Sequence, residues 1–181
     1  MMYRKQDGNI FGVLNDYDLA IFTSKNYSPS SKTRTGTQPF MAIDLLGHPT
    51  DLHRYRHDLE SLFYTLVYIT ARYHNGREID DPPLQHWDDL GEDNLKSVKT
   101  RFLNEALPKR TPKFSKFVIW IAGLRAALRA GINARTEHGE WVEIATQATE
   151  YTQSVVFHHE TLGGHFSFDT FRQILTMNVL K

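Results

Sequence analysis

The 181-residue chain contains no cysteine. That excludes a disulfide framework, a thiolate metal site and a cysteine nucleophile, and it suits a reducing compartment. Neither sign of charge is in excess: 21 lysines and arginines stand against 21 aspartates and glutamates. Bulk electrostatics therefore draws the chain toward neither nucleic acid nor an anionic membrane. Long apolar runs are missing too. The longest purely apolar stretch, around Phe117 to Leu124, is far shorter than the roughly 20 residues of a membrane span. The first residues, Met-Met-Tyr-Arg-Lys-Gln-Asp-Gly, lack the apolar core of a secretory signal. No segment recurs at a fixed period. No Gly-rich phosphate loop with its lysine and no Gly-x-Ser-x-Gly elbow occurs, so P-loop and serine-hydrolase readings lack their first residue. The expectation is an intracellular chain, cytoplasmic or nuclear, whose partners are found through local sites.

What is present is enough for a core. Apolar residues make up 40% and aromatics 12% of the chain, which suits one globular domain over residues 1–181. Asp7-Gly8 between two arms rich in strand formers predicts a β-hairpin over residues 2–15. Between His57 and Tyr73, Leu59, Leu62, Phe63, Leu66, Val67 and Ile69 cover more than one helical face, which predicts a central helix buried nearly all round. A second helix is expected over Asn94–Leu107, with Leu95, Val98, Phe102 and Ala106 in phase and Pro108 ending it. A third is expected over Ser115–Ala130, with a stripe of Phe117, Trp120, Ile121, Leu124 and Leu128 and with Gly131 as a left-handed cap. Trp141–His158 suggests a further helix. Ser167 is placed to cap a last one, with Phe168, Phe171, Ile174 and Leu175 inward. The acidic, proline-bearing stretch Asp80–Asp93 reads as a connection, and the sum is a mainly α chain with a small hairpin.

Three segments carry the chemistry: Asn15-Asp16-Tyr17-Asp18-Leu19-Ala20, Gly36-Thr37-Gln38-Pro39-Phe40-Met41-Ala42 and Arg56-His57-Asp58-Leu59-Glu60-Ser61-Leu62-Phe63. Taken alone, Asn15, Asp16 and Asp18 suit side-chain-to-backbone turn bonds after a strand, and Gly36-Thr37-Gln38-Pro39 suits a turn leading into a helix. A calcium loop fails, because no glycine and terminal glutamate follow Asp16-x-Asp18 at loop spacing. Arg54 and Arg56 more often mark a solvated face than a site. The hydroxyls from Ser24 to Thr35 suit a polar linker, with phosphorylation as the alternative. His158, His159, Glu160 and His165 lack the His-Glu-x-x-His spacing, and Gly163-Gly164 breaks any helix between them.

In order and spacing, these segments resemble the second half of a protein kinase: the Asp-Phe-Gly region, the Gly-Thr-x-x-Tyr-Met-Ala-Pro-Glu region closing the activation loop, and the helix after it. With Arg34-Thr35 before Gly36, His53-Arg54-Tyr55 before Arg56, and Glu160-Thr161-Leu162-Gly163-Gly164-His165, the resemblance narrows to the fungal-type protein kinase family. The Asp-Leu-Glu-Ser-Leu core also resembles casein-kinase-like enzymes. The resemblance implies a protein-kinase-like carboxy-terminal lobe: hairpin 2–15, activation segment 16–44 and helical subdomain 51–181, with no amino-terminal lobe and no catalytic loop in these residues. It implies serine/threonine phosphotransfer from ATP as the family activity. Asp16 is then the magnesium ligand and Gly36, Thr37 and Phe40 the substrate platform. Asp44 stands where an ion-paired glutamate is usual, with Arg125, Arg129 or Arg172 as partner. Asp58 accepts amide hydrogen bonds at the start of the central helix. No catalytic set is complete, because the base, the nucleotide lysine and the Gly-rich loop are missing from these residues.

Two expectations follow. Met1 falls where related kinases run from the catalytic-loop asparagine into the hairpin, so further residues upstream would make this half of a working kinase. Otherwise the chain is a non-catalytic, pseudokinase-like interaction module. In that case its partner is a protein, magnesium and ATP are not held tightly, and an exposed apolar face favours self-association.

Overall fold

Asp7 and Gly8 take positive φ (51° and 78°), the pair of left-handed residues that a two-residue hairpin turn requires. Around them β1 (Met2–Gln6) and β2 (Asn9–Val13) pair antiparallel, with Gln6 opposite Asn9 and Met2 opposite Val13. This hairpin lies in a first compact unit, Met1–Arg34, and Thr35–Lys181 forms a second. The computed structural model describes residues 2–13, 37–47, 53–147 and 156–177. Leu14, Asn15 and the Ser24–Thr35 hydroxyl run lie outside the described residues.

The second unit is built on α1 (Tyr55–Arg72). Its Phe63, Tyr64 and Val67 are fully buried, and α2 (Glu92–Phe102), α3 (Val118–Gln147) and α4 (Phe168–Leu175) are the other α-helices among the described residues. Leu95 and Phe102 come from α2, Ile121, Leu124 and Leu128 from α3, and Phe171 and Ile174 from α4. The connection read as merely acidic supplies a core anchor. Trp87, in a 3₁₀ turn at Gln85–Trp87, is fully buried and meets Tyr64 and Phe102 edge-on at 5.6 and 5.3 Å.

Several element boundaries differ from the sequence reading. The second helix stops at Phe102 rather than Leu107. The third does not end at Ala130: α3 runs 30 residues, about 45 Å at 1.5 Å per residue. Gly131 is therefore a buried interior position, not a left-handed cap. A Cβ there would lie 2.6 Å from Leu162 Cβ, so the glycine serves close packing rather than termination. Trp141 continues α3, and 148–155 lie outside the described residues. Pro112–Gln147 has the length and composition of a membrane span, with mean hydropathy 1.3 over its most apolar window, of which 22% is buried.

Ser167 does cap α4, accepting the Thr170 amide at 3.2 Å, but Phe168 is exposed rather than inward. A short hairpin was overlooked. β3 (Tyr73–His74) and β4 (Arg77–Glu78) pair around Asn75-Gly76, both at positive φ. That dipeptide is a strong hairpin signal.

Candidate functional site

Segment 37–47 is two tight 3₁₀ turns, Gln38–Phe40 and Ile43–Leu45. Pro39 sets the first, the Phe40 amide closes it on the Thr37 carbonyl at 2.9 Å, and the Gln38 amide group donates to the Leu90 carbonyl at 2.8 Å. The side chains of Met41, Ala42, Ile43, Leu45 and Leu46 are buried. Thr37 is left exposed at the entry, with its hydroxyl making no cap bond. Phe40 is half-buried and meets the Tyr68 ring edge-on at 5.1 Å. Tyr68 is itself fixed: its hydroxyl donates to Asp88 at 2.9 Å, and Arg72 lies 4.0 Å over its ring while pairing with Glu78 and Asp88. Burial and the bond to Asp88 push the Tyr68 phenol up.

Two buried charge centres hold this segment to the helices. Asp44 accepts from Arg56 Nη2 at 2.6 Å and from Arg135 Nη1 of α3, and His57 Nε2 stands 3.8 Å away. Burial alone would push the Asp44 carboxyl up, but its cationic neighbours outweigh it and hold the group well below the usual carboxylate range. At 3.8 Å the His57 contact is too long for a hydrogen bond, so the two guanidiniums carry most of that effect. His57 Nδ1 accepts the Arg54 amide at 3.0 Å, which leaves the imidazole proton on Nε2, toward Asp44. Burial pushes the His57 imidazole down, so the ring is neutral near pH 7.

The second centre is Glu60. Its Oε1 accepts the Ile43 amide at 2.8 Å and the Tyr64 hydroxyl at 3.0 Å, and the side chain is all but fully buried. Lys99 of α2, also fully buried, donates to the Met41 carbonyl at 2.5 Å and sits 4.0 Å above the Tyr64 ring. Burial pushes the Lys99 amine down to about 7 and the Glu60 carboxyl up. Each opposes the other's shift by attraction, as expected of a carboxylate and an ammonium sharing a dry interior. Farther along, Arg56 Nε donates to the His159 carbonyl at 2.7 Å and Arg54 pairs with Glu160 at 2.9 Å. The Glu160–His165 turn is thereby tied to the start of α1.

The predicted site residues distribute unevenly over this arrangement. Thr37, Phe40 and Asp44 come together on one short segment. Asp16 and Gly36 lie outside the described residues. Asp58 is mostly exposed and pairs with His53 at 3.3 Å, while the position before α1 belongs to Arg54. Asp44 pairs with Arg56 and Arg135, not with Arg125, Arg129 or Arg172. Arg56 is 4% exposed, which overturns its reading as part of a solvated face. Glu60, Lys99 and Arg135 were missed, although a signal existed. Glu60 is in helical phase with Tyr64 and Val67, Lys99 with Leu95 and Phe102, and Arg135 with Leu128, all apolar core positions. Among the described residues no group of three His, Asp or Glu side chains fits a metal ion. What the segment 37–47 supplies is position: an exposed hydroxyl and a half-exposed ring on a bolted support.

The fungal protein kinase family model matches residues 1–70. That span takes in β1, β2, segment 37–47 and α1 through Thr70, hence both charge centres on their α1 side. The match agrees with the family resemblance that the ordered motifs carry. No curated protein and no solved structure matches the chain.

Proposed function

We propose that the chain is the substrate-side, carboxy-terminal lobe of a serine/threonine protein kinase fold, and that these 181 residues by themselves present a protein-docking platform without transferring phosphate. The observation that carries this reading is the double bolting of segment 37–47 through Asp44 and Glu60, which keeps Thr37 and Phe40 presented. Phosphoryl transfer is mostly positioning and charge stabilisation around ATP and magnesium. The general base alone is worth about 10² to 10⁴ in rate. Within these residues only Asp16 stands at a catalytic family position, and one carboxylate holds magnesium poorly. The balanced charge of the chain favours a protein partner over nucleic acid or a membrane, and the absence of cysteine favours an intracellular setting. The test is incorporation of labelled phosphate from magnesium-ATP into serine- and threonine-containing peptides. Background incorporation is expected for the chain and for Asp16→Ala alike, and incorporation that vanishes in Asp16→Ala overturns the reading.

A second reading, a non-catalytic module that associates through apolar surface, is favoured by Trp141, Val142 and Ile144, which are 65%, 47% and 56% exposed on α3. Sedimentation should then show association that rises with concentration. A monomer at every concentration counts against it.

A further inference from the structure

The side of α3 turned away from the core carries a continuous exposed face. Ile119, Ala126, Ala130, Asn133, Glu137 and Ile144 recur at helical spacing, opposite the buried Leu124 and Leu128, and all six are exposed. Its two ends are apolar. Ile119 is 53% exposed at one, and Trp141 and Ile144 are 65% and 56% exposed at the other, about 38 Å of helix away from it. Only small side chains, Ala126 and Ala130, stand between Ile119 and the centre of the face. Large apolar side chains held in water along one helix face mark an interaction surface.

The charges on this side are divided along the helix. Arg125 and Arg129 stand in its first half, and Glu137, Glu140 and Glu143 in its second. Arg129, Glu137 and Glu140 are exposed and make no ion pair among the described residues. The two cations of the first half lie close enough to oppose each other: the Arg125 guanidinium is pushed down by burial first and by Arg129 second. A surface divided in this way is complementary to its own reverse. Two copies running antiparallel bring the basic half of each against the acidic half of the other, whereas parallel copies would stack like charges. The antiparallel arrangement is also closed, a two-fold in which every contact is made twice. Arg129 and Glu137 are equidistant from Asn133, so an axis there sets the register. A bilayer fits this face worse, because Glu137, Glu140 and Glu143 would have to enter it beside Trp141 and Ile144.

We propose that two copies of this chain pair through α3, antiparallel about a two-fold axis at Asn133. Arg129 of each copy lies against Glu137 and Glu140 of the other, and Trp141 and Ile144 of each fill the room left by Ala122, Ala126 and Ala130 of the other. The pairing rests on the second reading above, association through apolar surface, and gives it a face, a partner and a register. Two helices touching over about 38 Å make an interface at the small end of specific ones, so dissociation is expected in the micromolar range.

The test is sedimentation of the full chain over a range of concentrations, combined with charge reversal. The unaltered chain should form dimers. Arg129→Glu, and separately Glu137→Arg with Glu140→Arg, should weaken them by at least about tenfold, and all three changes together should restore them to within about threefold. The register is read by cross-linking, because the chain has no cysteine of its own. A short bismaleimide should join Asn133→Cys to its copy across the axis but not Ala126→Cys, whose two copies would lie about 21 Å apart along antiparallel helices. A monomer at every concentration, whether or not it floats with phosphatidylcholine vesicles, removes the association and the pairing with it. Association that is unchanged in Arg129→Glu, or that cross-links Ala126→Cys as readily as Asn133→Cys, leaves the second reading standing and overturns this face and register. Should a charge variant fail to fold, the two cysteine variants decide alone.

Discussion

Asp44 faces two guanidiniums in a site where its own side chain is 11% exposed. Replacing it by asparagine keeps the shape and leaves both cations without a counter-charge. Breaking a buried pair from one side costs about 3–5 kcal/mol, and Asp44→Asn is expected to lower urea-unfolding stability by that order at pH 7. The sign in pH follows from the depressed carboxyl. Its stabilisation is fully present above the ordinary carboxylate range, near pH 4, and is lost as pH falls below it toward the folded-state value. Asp44→Asn should therefore flatten the acid limb of the stability profile, and an unchanged limb would remove Asp44 as its source. The carboxylate was legible in the sequence by its place after Gly36-Thr37, but its partner was not. With the third helix read as ending at Ala130, Arg135 fell outside any helix. Arg56, beside the apolar run, looked like surface because charge is a poor guide to burial when the counter-charge lies 12 residues away.

At the scale of elements, α3 shows why that boundary failed. A glycine after a helical stripe is a good terminator by local rules, yet Gly131 is retained because Leu162, itself at positive φ, packs on its backbone. No local pattern records a neighbour 31 residues on. Gly131 and Gly139, two of the interior glycines of α3, make an internal control. Gly139 has nothing within 4 Å of an added Cβ, so Gly139→Ala should stabilise by about 0.5–1 kcal/mol through helix propensity. Gly131→Ala carries the same propensity gain but drives a methyl to within 2.6 Å of Leu162 Cβ, and overpacking should make it net destabilising by about 1–3 kcal/mol. Thermal unfolding of the two variants reads the difference, and equal shifts would refute the close-packing role. The elements that were legible, the Asp7-Gly8 hairpin, the body of α1 and the Ser167 cap, are those whose signals are local. Trp87 was missed because its burial depends on Tyr64 and Phe102, distant in sequence.

At the scale of the molecule, the chain couples a family-specific segment to a helical support that the family match does not span. Residues 1–70 carry the fungal protein kinase pattern, while Lys99 and Arg135, which complete the two charge centres, come from α2 and α3 beyond it. Segment 37–47 is then a platform whose order comes from Asp44, Glu60 and their partners rather than from a bound nucleotide. Hydrogen exchange on the full chain, without ATP or magnesium, tests that directly. The Ile43 amide on Glu60 and the Leu45 and Leu46 amides of the second turn are hydrogen-bonded within the protein. They should exchange as slowly as the central amides of α1. Exchange of all three within seconds, while α1 stays protected, would mean that the segment is not held by these charges and would contradict the account.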